Sequence, residues 1–426
     1  MRCLVRRIHD HRASAEKGFT IVELLIAMSL FIVVLVIASN AFNLIVTKAT
    51  QYSKMEESNI EGVIGLETMR HDLAQMGFGL PWGFSQGNAS PPTDLIDSTI
   101  SYQEASAALT LAAAANDATG GVPRAFVGYA GAGSLSSDFI ALKATNLGRS
   151  KASQRWTYIP FHNFSAAIKE SRPYTYASNN PQAGDKVVFI NSNANDSTNK
   201  DHRLIVAPNT PASFSTSFSA LSNGISSNFL PTDDENTYMV FGVDENTLRM
   251  PFNRADYFIN NATGVVPPFC APLTGVLYKA TVSHNGGGYD YQPILDCVAD
   301  MQVVLGWDTS DAGKAGTLDT YSSLPQLTGG TVTASPSTAA ASIQGWLTNA
   351  QGLREHLKVV KIYILAQEGK RDRNYTAPIT NITVGDVVAD GFRTKADYAL
   401  SSDQLQYRWK LYRIVVRPKN LLSNQR

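Results

Sequence analysis

The segment from Leu24 to Thr47 constrains this chain most, because it contains no charged residue, no glycine and no proline. A helix over these residues would be roughly 36 Å long, enough to cross a hydrocarbon core of about 30 Å. One carboxylate, Glu23, lies directly before the segment. A charge at that depth is costly unless it has a partner. The sequence therefore predicts a membrane-spanning helix with a carboxylate near its N-terminal end that requires a partner.

A basic leader precedes the apolar segment. It holds five cations, Arg2, Arg6, Arg7, Arg12 and Lys17, against two carboxylates, Asp10 and Glu16. The positive-inside rule keeps this end cytoplasmic and places everything after Thr47 on the other side. One interpretation is a cleaved signal peptide with Ser39-Asn40-Ala41 as the cleavage site, although the apolar region is long for that class. A second is a plain signal anchor with a stray carboxylate.

A third interpretation, which we adopt, rests on the run Gly18-Phe19-Thr20-Ile21-Val22-Glu23-Leu24-Leu25-Ile26-Ala27. It resembles the class III signal of type IV pilins and type II secretion pseudopilins. In that family a membrane aspartyl peptidase cuts after the glycine and methylates the new N-terminal residue. The resemblance implies cleavage between Gly18 and Phe19 and N-methylation of Phe19. Glu23 then takes the family's glutamate position and pairs with the α-amino group of a staggered neighbour, which sets the register of assembly.

A second, amphipathic stretch continues the helix beyond the apolar segment. Apolar residues recur on one helical face and predict a stripe buried under the domain's own sheet: Tyr52, Met55, Val63, Leu66, Met69, Leu73 and Met76. Polar residues occupy much of the remaining surface: Lys54, Glu56, Glu57, Glu61, Glu67, Arg70 and Asp72. Glycine and proline predict an end near 77–81. Because the first glycine after Gly18 is Gly62, we expect one unbroken helix of about 55–60 residues and a specialised subunit rather than a major pilin.

The remainder of the chain is typical of a β-rich domain with polar loops. Nine short segments bounded by turn residues are predicted strands: Asp138–Ala144, Lys186–Asn191, Arg203–Ala207, Tyr238–Val243, Ala255–Asn260, Val276–Ser283, Leu295–Trp307, Leu357–Gln367 and Tyr407–Arg417. We expect a long loop with one short helix over 82–130, and loop insertions over 191–201 and 309–342. In the predicted strand 357–367, Val360, Ile362 and Ile364 share one face.

Two further stretches resemble minor pilins of the PilW type. They are the helix end at 66–78 and the segment Leu295-Asp296-Cys297-Val298-Ala299-Asp300-Met301-Gln302-Val303-Val304-Leu305-Gly306-Trp307-Asp308. The resemblance implies an α+β, pilin-like fold whose long N-terminal helix packs by its amphipathic half on an antiparallel sheet. It divides the chain into a leader over 1–18, a pilin helix over 19–80 with its membrane or filament core at 24–47, and a periplasmic domain over 81–426.

The chain has three cysteines, of which Cys3 precedes the apolar segment. Cys270 and Cys297 lie on the side that should be oxidising, so we expect a disulfide between them. Two buried free thiols are the alternative.

Catalytic and metal-binding motifs are not found in the sequence, so we expect a protein that is not an enzyme and has no cofactor or metal. Oxygen-rich loops at 191–199 and around Asp308, Asp311 and Asp319 have the spacing of cation ligands but are better explained as solvated loops. Formal net charge is +0, and the basic residues near the C-terminus fall on both faces of a strand, so nucleic acid is not an expected partner.

Three functions follow from these observations. The first is a PilW-like minor pilin that works with prepilin peptidase, other minor and major pilins and an inner-membrane assembly platform. It would reside in a bacterial inner membrane with a periplasmic domain, and then in the pilus or at its tip. The second is a J-type pseudopilin of type II secretion. The third is a membrane-anchored adhesin that never polymerises.

Overall fold

The structure is a computed structural model of the chain. It describes residues 18, 20–87, 100–118, 120–160, 179–191, 202–207, 213–219, 225–231, 237–310 and 317–421.

A 55-residue helix, α1, runs from Ile21 to Gln75 and is followed by a domain built mostly of strands. The other helices are α2 (Thr110–Ala114), α3 (Ala340–Leu347), α4 (Ala350–His356) and α5 (Val387–Asp390). The strands are β1 (Gly83–Gln86), β2 (Phe126–Tyr129), β3 (Phe139–Ala144), β4 (Trp156–Pro160), β5 (Lys186–Asn191), β6 (Arg203–Val206), β7 (Thr216–Ser217), β8 (Thr237–Asp244), β9 (Asn253–Asn260), β10 (Gly275–Val282), β11 (Tyr289–Trp307), β12 (Thr320–Ser322), β13 (Ala334–Ser335), β14 (Leu357–Glu368), β15 (Asn381–Ile382), β16 (Tyr398–Ala399) and β17 (Arg408–Val416).

The described residues fall into two compact units, 1–55 and 56–426. Helix α1 contributes residues 21–55 to the first unit and 56–75 to the second. An α+β domain with mostly antiparallel sheets therefore follows a long apolar N-terminal helix.

Two large sheets make up most of the second unit. The nine-stranded sheet has the order β13-β12-β11-β10-β9-β3-β2, with β14 paired to β11 and β17 paired to β14. The six-stranded sheet has the order β1-β6-β5-β8-β4, with β7 paired to β5. Their strand pairs are antiparallel except for β1 and β6, which run parallel. A separate hairpin joins β15 to β16.

The C-terminal part of α1, from Gly62 onward, lies on the nine-stranded sheet. Leu66, Met69, Leu73 and Met76 are buried in the main core, which confirms this part of the predicted apolar stripe. Val63 was expected in the stripe and is 59% exposed, so that prediction is wrong. Gly62 and Gly65 face the sheet instead, because the helix approaches too closely for larger side chains. The side chains of Tyr52 and Met55 lie outside the described part.

Asp72 was expected on the polar face of the helix, and this prediction is also wrong. Its carboxylate is buried, accepts a hydrogen bond from the Tyr257 hydroxyl at 2.7 Å and pairs with Lys279 Nζ at 2.5 Å. The helical pattern of the sequence places Asp72 among the polar positions. It does not show that Lys279, which lies on a strand far along the chain, pairs with it. Asp72 therefore ties α1 to β9 and β10.

All nine predicted strands are present, and most of their ends agree within two residues. The long strand β11 begins at Tyr289, earlier than predicted. In β14, Val360, Ile362 and Ile364 belong to the main core, while Tyr363 and Leu365 lie in a second cluster on the opposite face. The predicted alternation on this strand is confirmed.

The loop predictions for 82–130 and 309–342 are wrong in part. The first stretch contains β1 and β2 as well as the short helix α2, and the second contains β12, β13 and the start of α3. β1 is only four residues long and pairs with β6, about 120 positions later in the sequence, so no local pattern marks it. Most of the insertion at 191–201 lies outside the described residues.

Candidate functional site

The start of α1 is closed by a reciprocal pair of hydrogen bonds between Thr20 and Glu23. Glu23 Oε2 accepts hydrogen bonds from the backbone nitrogen and the hydroxyl of Thr20, each at 2.9 Å. In return, the backbone nitrogen of Glu23 donates to Thr20 Oγ1 at 3.3 Å. This arrangement is a capping box, which satisfies donors that the first helical turn otherwise leaves unpaired. Glu23 therefore has a partner within its own chain.

Sequence reasoning identified Glu23 but missed Thr20. The signal was available, since a threonine followed three residues later by glutamate just before an apolar run is the sequence signature of a capping box. The cap has a further consequence, because it uses the amide of Thr20 and not that of Phe19. Cleavage between Gly18 and Phe19 would leave every atom of the cap in place.

The residues around the predicted cleavage point are accessible. Gly18 and Thr20 are exposed, and a Cβ added at Gly18 would have no heavy atom within 4 Å among the described residues. Phe19 itself lies outside the described residues. The predicted roles of Gly18, Phe19 and Glu23 remain predictions.

The helix that follows presents its apolar side chains outward. Residues Ile21–Thr50 are long and apolar enough to cross a membrane, and their side chains are exposed in the isolated chain, apart from Lys48, which is half-buried. Three hydroxyls in this stretch bond to carbonyls of their own helix: Ser29 to Ile26 at 2.8 Å, Thr47 to Asn43 at 2.8 Å and Thr50 to Val46 at 2.9 Å. Hydroxyls satisfied in this way are tolerated in hydrocarbon and in contacts between helices.

The disulfide expected from the sequence is present. Cys270 and Cys297 are joined, with a Cα–Cα distance of 5.0 Å. Cys297 lies in β11 where the register with β10 shifts between Leu295 and Val298. Its φ of 55° is that of a residue in a bulge. The bond attaches the loop that follows β9 to the longest strand of the nine-stranded sheet.

The oxygen-rich loops give no assembled cation site among the residues that the structure describes, where no group of three or more metal-ligating side chains occurs. Asp308 is buried and accepts a hydrogen bond from Ser310, while Asp319 accepts from the backbone and hydroxyl of Thr309. Asp311 and residues 192–200 lie outside the described part.

The basic residues of β17 have acidic neighbours. Arg408 pairs with Asp372 at 3.2 Å and Arg413 with Asp386 at 3.1 Å. Asp372 precedes β15 and Asp386 lies between β15 and β16, so these cations hold two connecting segments against the sheet.

Comparison with protein families matches residues 13–39 to the prokaryotic N-terminal methylation motif. Comparison with curated proteins and with solved structures gives no match. The motif is the class III prepilin signal and supports a type IV pilin-like protein. Such a signal implies processing by a prepilin peptidase and assembly with other pilins. Together with the apolar helix, it suggests membrane anchoring followed by incorporation into a pilus.

Proposed function

We propose that this chain is a minor pilin of the PilW type, a non-enzymatic subunit that takes part in the initiation or tip complex of a type IV pilus. The observation that carries the proposal is the methylation motif at 13–39, which includes the first half of the exposed apolar stretch Ile21–Thr50. The PilW assignment is supported by the two resembling segments, 66–78 and 295–308. Both segments contribute to the main core, the first through Leu66 and Leu73 and the second through Leu295 and Val298.

Glu23 has a defined place in this proposal. Both cap hydrogen bonds from Thr20 fall on Oε2, so among the described residues Oε1 is left for a donor from outside the chain. The α-amino group created at Phe19 by cleavage is such a donor when it belongs to a neighbouring subunit. A carboxylate held by a cap presents its second oxygen in a fixed direction, which favours one register of assembly over others.

Processing is tested by mass analysis of the chain recovered from the membrane of the producing cell. The expected N-terminus is N-methylated Phe19, and substitution of Gly18 should leave the leader attached. A wild-type chain with an intact leader, or one that starts within the apolar run, would contradict the pilin assignment.

The assembly role is tested with Glu23→Ala and a matched control, Thr20→Ala. Both substitutions break the cap, but only the first removes the carboxylate. We expect both chains to reach the membrane, and incorporation into filaments to fall by more than about tenfold for Glu23→Ala and by much less for Thr20→Ala, because only the first leaves a buried amine without its counter-charge. Equal loss in both variants would show that the cap, and not intersubunit pairing, is what assembly requires.

Deletion of the gene decides between the pilus and the secretion machinery. We expect loss of surface pili with exoprotein secretion unchanged. The reverse outcome would identify a J-type pseudopilin, and unaffected pili and secretion would favour a membrane-anchored adhesin.

A further inference from the structure

A cleft of about 650 Å³ opens within the second unit. Three separate stretches of the chain line it: Trp82 after α1, residues 117, 118, 121, 122 and 124 before β2, and residues 348–351 and 354 at α4. Its volume lies in the range of pockets that enclose small ligands.

Arg354 contributes a cation to the cleft that has no ion-pair contact among the described residues. Its guanidinium carbon lies 4.4 Å from the centroid of the Trp82 ring, and that ring also stacks on His202 at 4.1 Å. The contact with the indole therefore restricts where the guanidinium can lie. Arg354 Nε is buried without a hydrogen-bond partner, and no ion pair to this side chain occurs among the described residues.

The other charges near the cleft balance one another. Arg124 pairs with Asp117 at 2.6 Å, and Lys143 bridges Asp117 and Glu104 at 2.6 and 2.8 Å. Arg254 completes the group with Glu104 and Asp256, at 2.9 and 2.7 Å. Three cations thus meet three carboxylates, whereas Arg354 has no ion-pair contact among the residues that the structure describes. Burial lowers the pKa of Arg354 to about 10, and the charge of the neighbouring Glu355 opposes this shift without cancelling it.

We propose that this cleft binds a small organic carboxylate and that Arg354 receives its carboxylate group. A guanidinium fixed on an aromatic ring matches the planar carboxylate with two parallel hydrogen bonds, which a point charge cannot do. Thr348, Asn349 and Gln351 are exposed at the rim and offer polar groups to the remainder of the ligand. Two sources have this chemistry, an acidic sugar and the carboxyl end of a peptide.

The first test uses the full chain in detergent micelles and two matched pairs of probes. Galacturonate and galactose differ in the carboxylate of a sugar, and N-acetylglycine and N-acetylglycinamide differ in that of a peptide end. Binding is measured by calorimetric titration. We expect one acid to bind at least about tenfold more tightly than its neutral partner, since hydrogen bonds to a charged group are the strong ones. The pair that shows this difference identifies the source. Equal binding within both pairs, or no binding of either acid at millimolar concentration, would overturn the proposal.

The second test assigns the binding to Arg354. Arg354→Gln should abolish the preference for the acid, and Arg354→Lys should weaken binding because the planar fork is lost while the charge is kept. Arg149→Gln, at an exposed arginine outside the cleft, should bind as the wild type does. Melting curves establish that each variant is folded. A folded Arg354→Gln chain with wild-type affinity for the acid would refute the assignment. The comparison of acid with neutral probe in the wild type does not depend on any variant.

Discussion

At the scale of single residues, Asp72 shows what pairing contributes to a buried charge. Removing its carboxylate would leave the Lys279 ammonium, whose side chain is 11% exposed, without a counter-charge. We expect Asp72→Ala to lower the free energy of unfolding by about 3–5 kcal/mol. Glu67→Ala on the same helix is the control, because the Glu67–Arg70 pair is exposed and such pairs contribute between about 0 and 1 kcal/mol. Chemical denaturation of the full chain measures both free energies. Equal effects would show that the contacts of Asp72 contribute no more to stability than an exposed ion pair does.

A second prediction at this scale concerns pH. His284 Nδ1 accepts a hydrogen bond from the backbone nitrogen of Arg249 at 3.1 Å, so the ring proton lies on Nε2, 3.2 Å from Asn253 Oδ1. Burial lowers the pKa of His284 to about 4. Between an ordinary histidine pKa of about 6.5 and this value, the unfolded chain binds a proton that the folded chain does not, so acidification destabilises the fold by up to about 3 kcal/mol.

His284→Gln keeps an acceptor and a donor but cannot titrate. Urea midpoints measured from pH 6.5 to pH 4.5 should therefore fall less steeply for this variant than for the wild type. Parallel curves would show that other groups cause the acid sensitivity.

At the scale of elements, the contact between α1 and the nine-stranded sheet depends on Gly65. A Cβ at this position would overlap the backbone carbonyl of Ile294, which cannot move aside without distorting β11. We expect Gly65→Ala to destabilise the protein by about 1–3 kcal/mol. The same substitution at Gly345, in α3, has no heavy atom of the described residues within 4 Å and should be neutral or stabilising by up to about 1 kcal/mol. Thermal melting of both variants checks the opposite signs.

How far the sequence predicts an element depends on where its determinants lie. The nine predicted strands carry their alternation within themselves, and the start of α1 carries both members of its cap, Thr20 and Glu23, within four residues. β1 could not be found in this way, because its pairing partner is far along the chain. The same reason hides the burial of Asp72 and the cleft at Arg354, which are assembled from segments that only the fold brings together.

At the scale of the whole molecule, the two units differ in what they need from their surroundings. The first exposes apolar side chains along Ile21–Val46, whereas the second contains the buried core. Residues 56–75 belong to that second unit although they continue the same helix. A boundary drawn where the helix ends would therefore remove part of the core.

Two truncated chains test this division. We expect residues 56–426 to be folded and monomeric without detergent, because they retain Leu66, Met69, Leu73 and Met76. A chain of residues 77–426 lacks these four side chains, each worth about 1.5–3 kcal/mol of burial, and their sum exceeds the stability of many domains. We therefore expect it to aggregate or to melt without a cooperative transition. Size-exclusion chromatography and calorimetry distinguish the two outcomes, and a shorter chain that melts like the longer one would show that the sheets fold without α1.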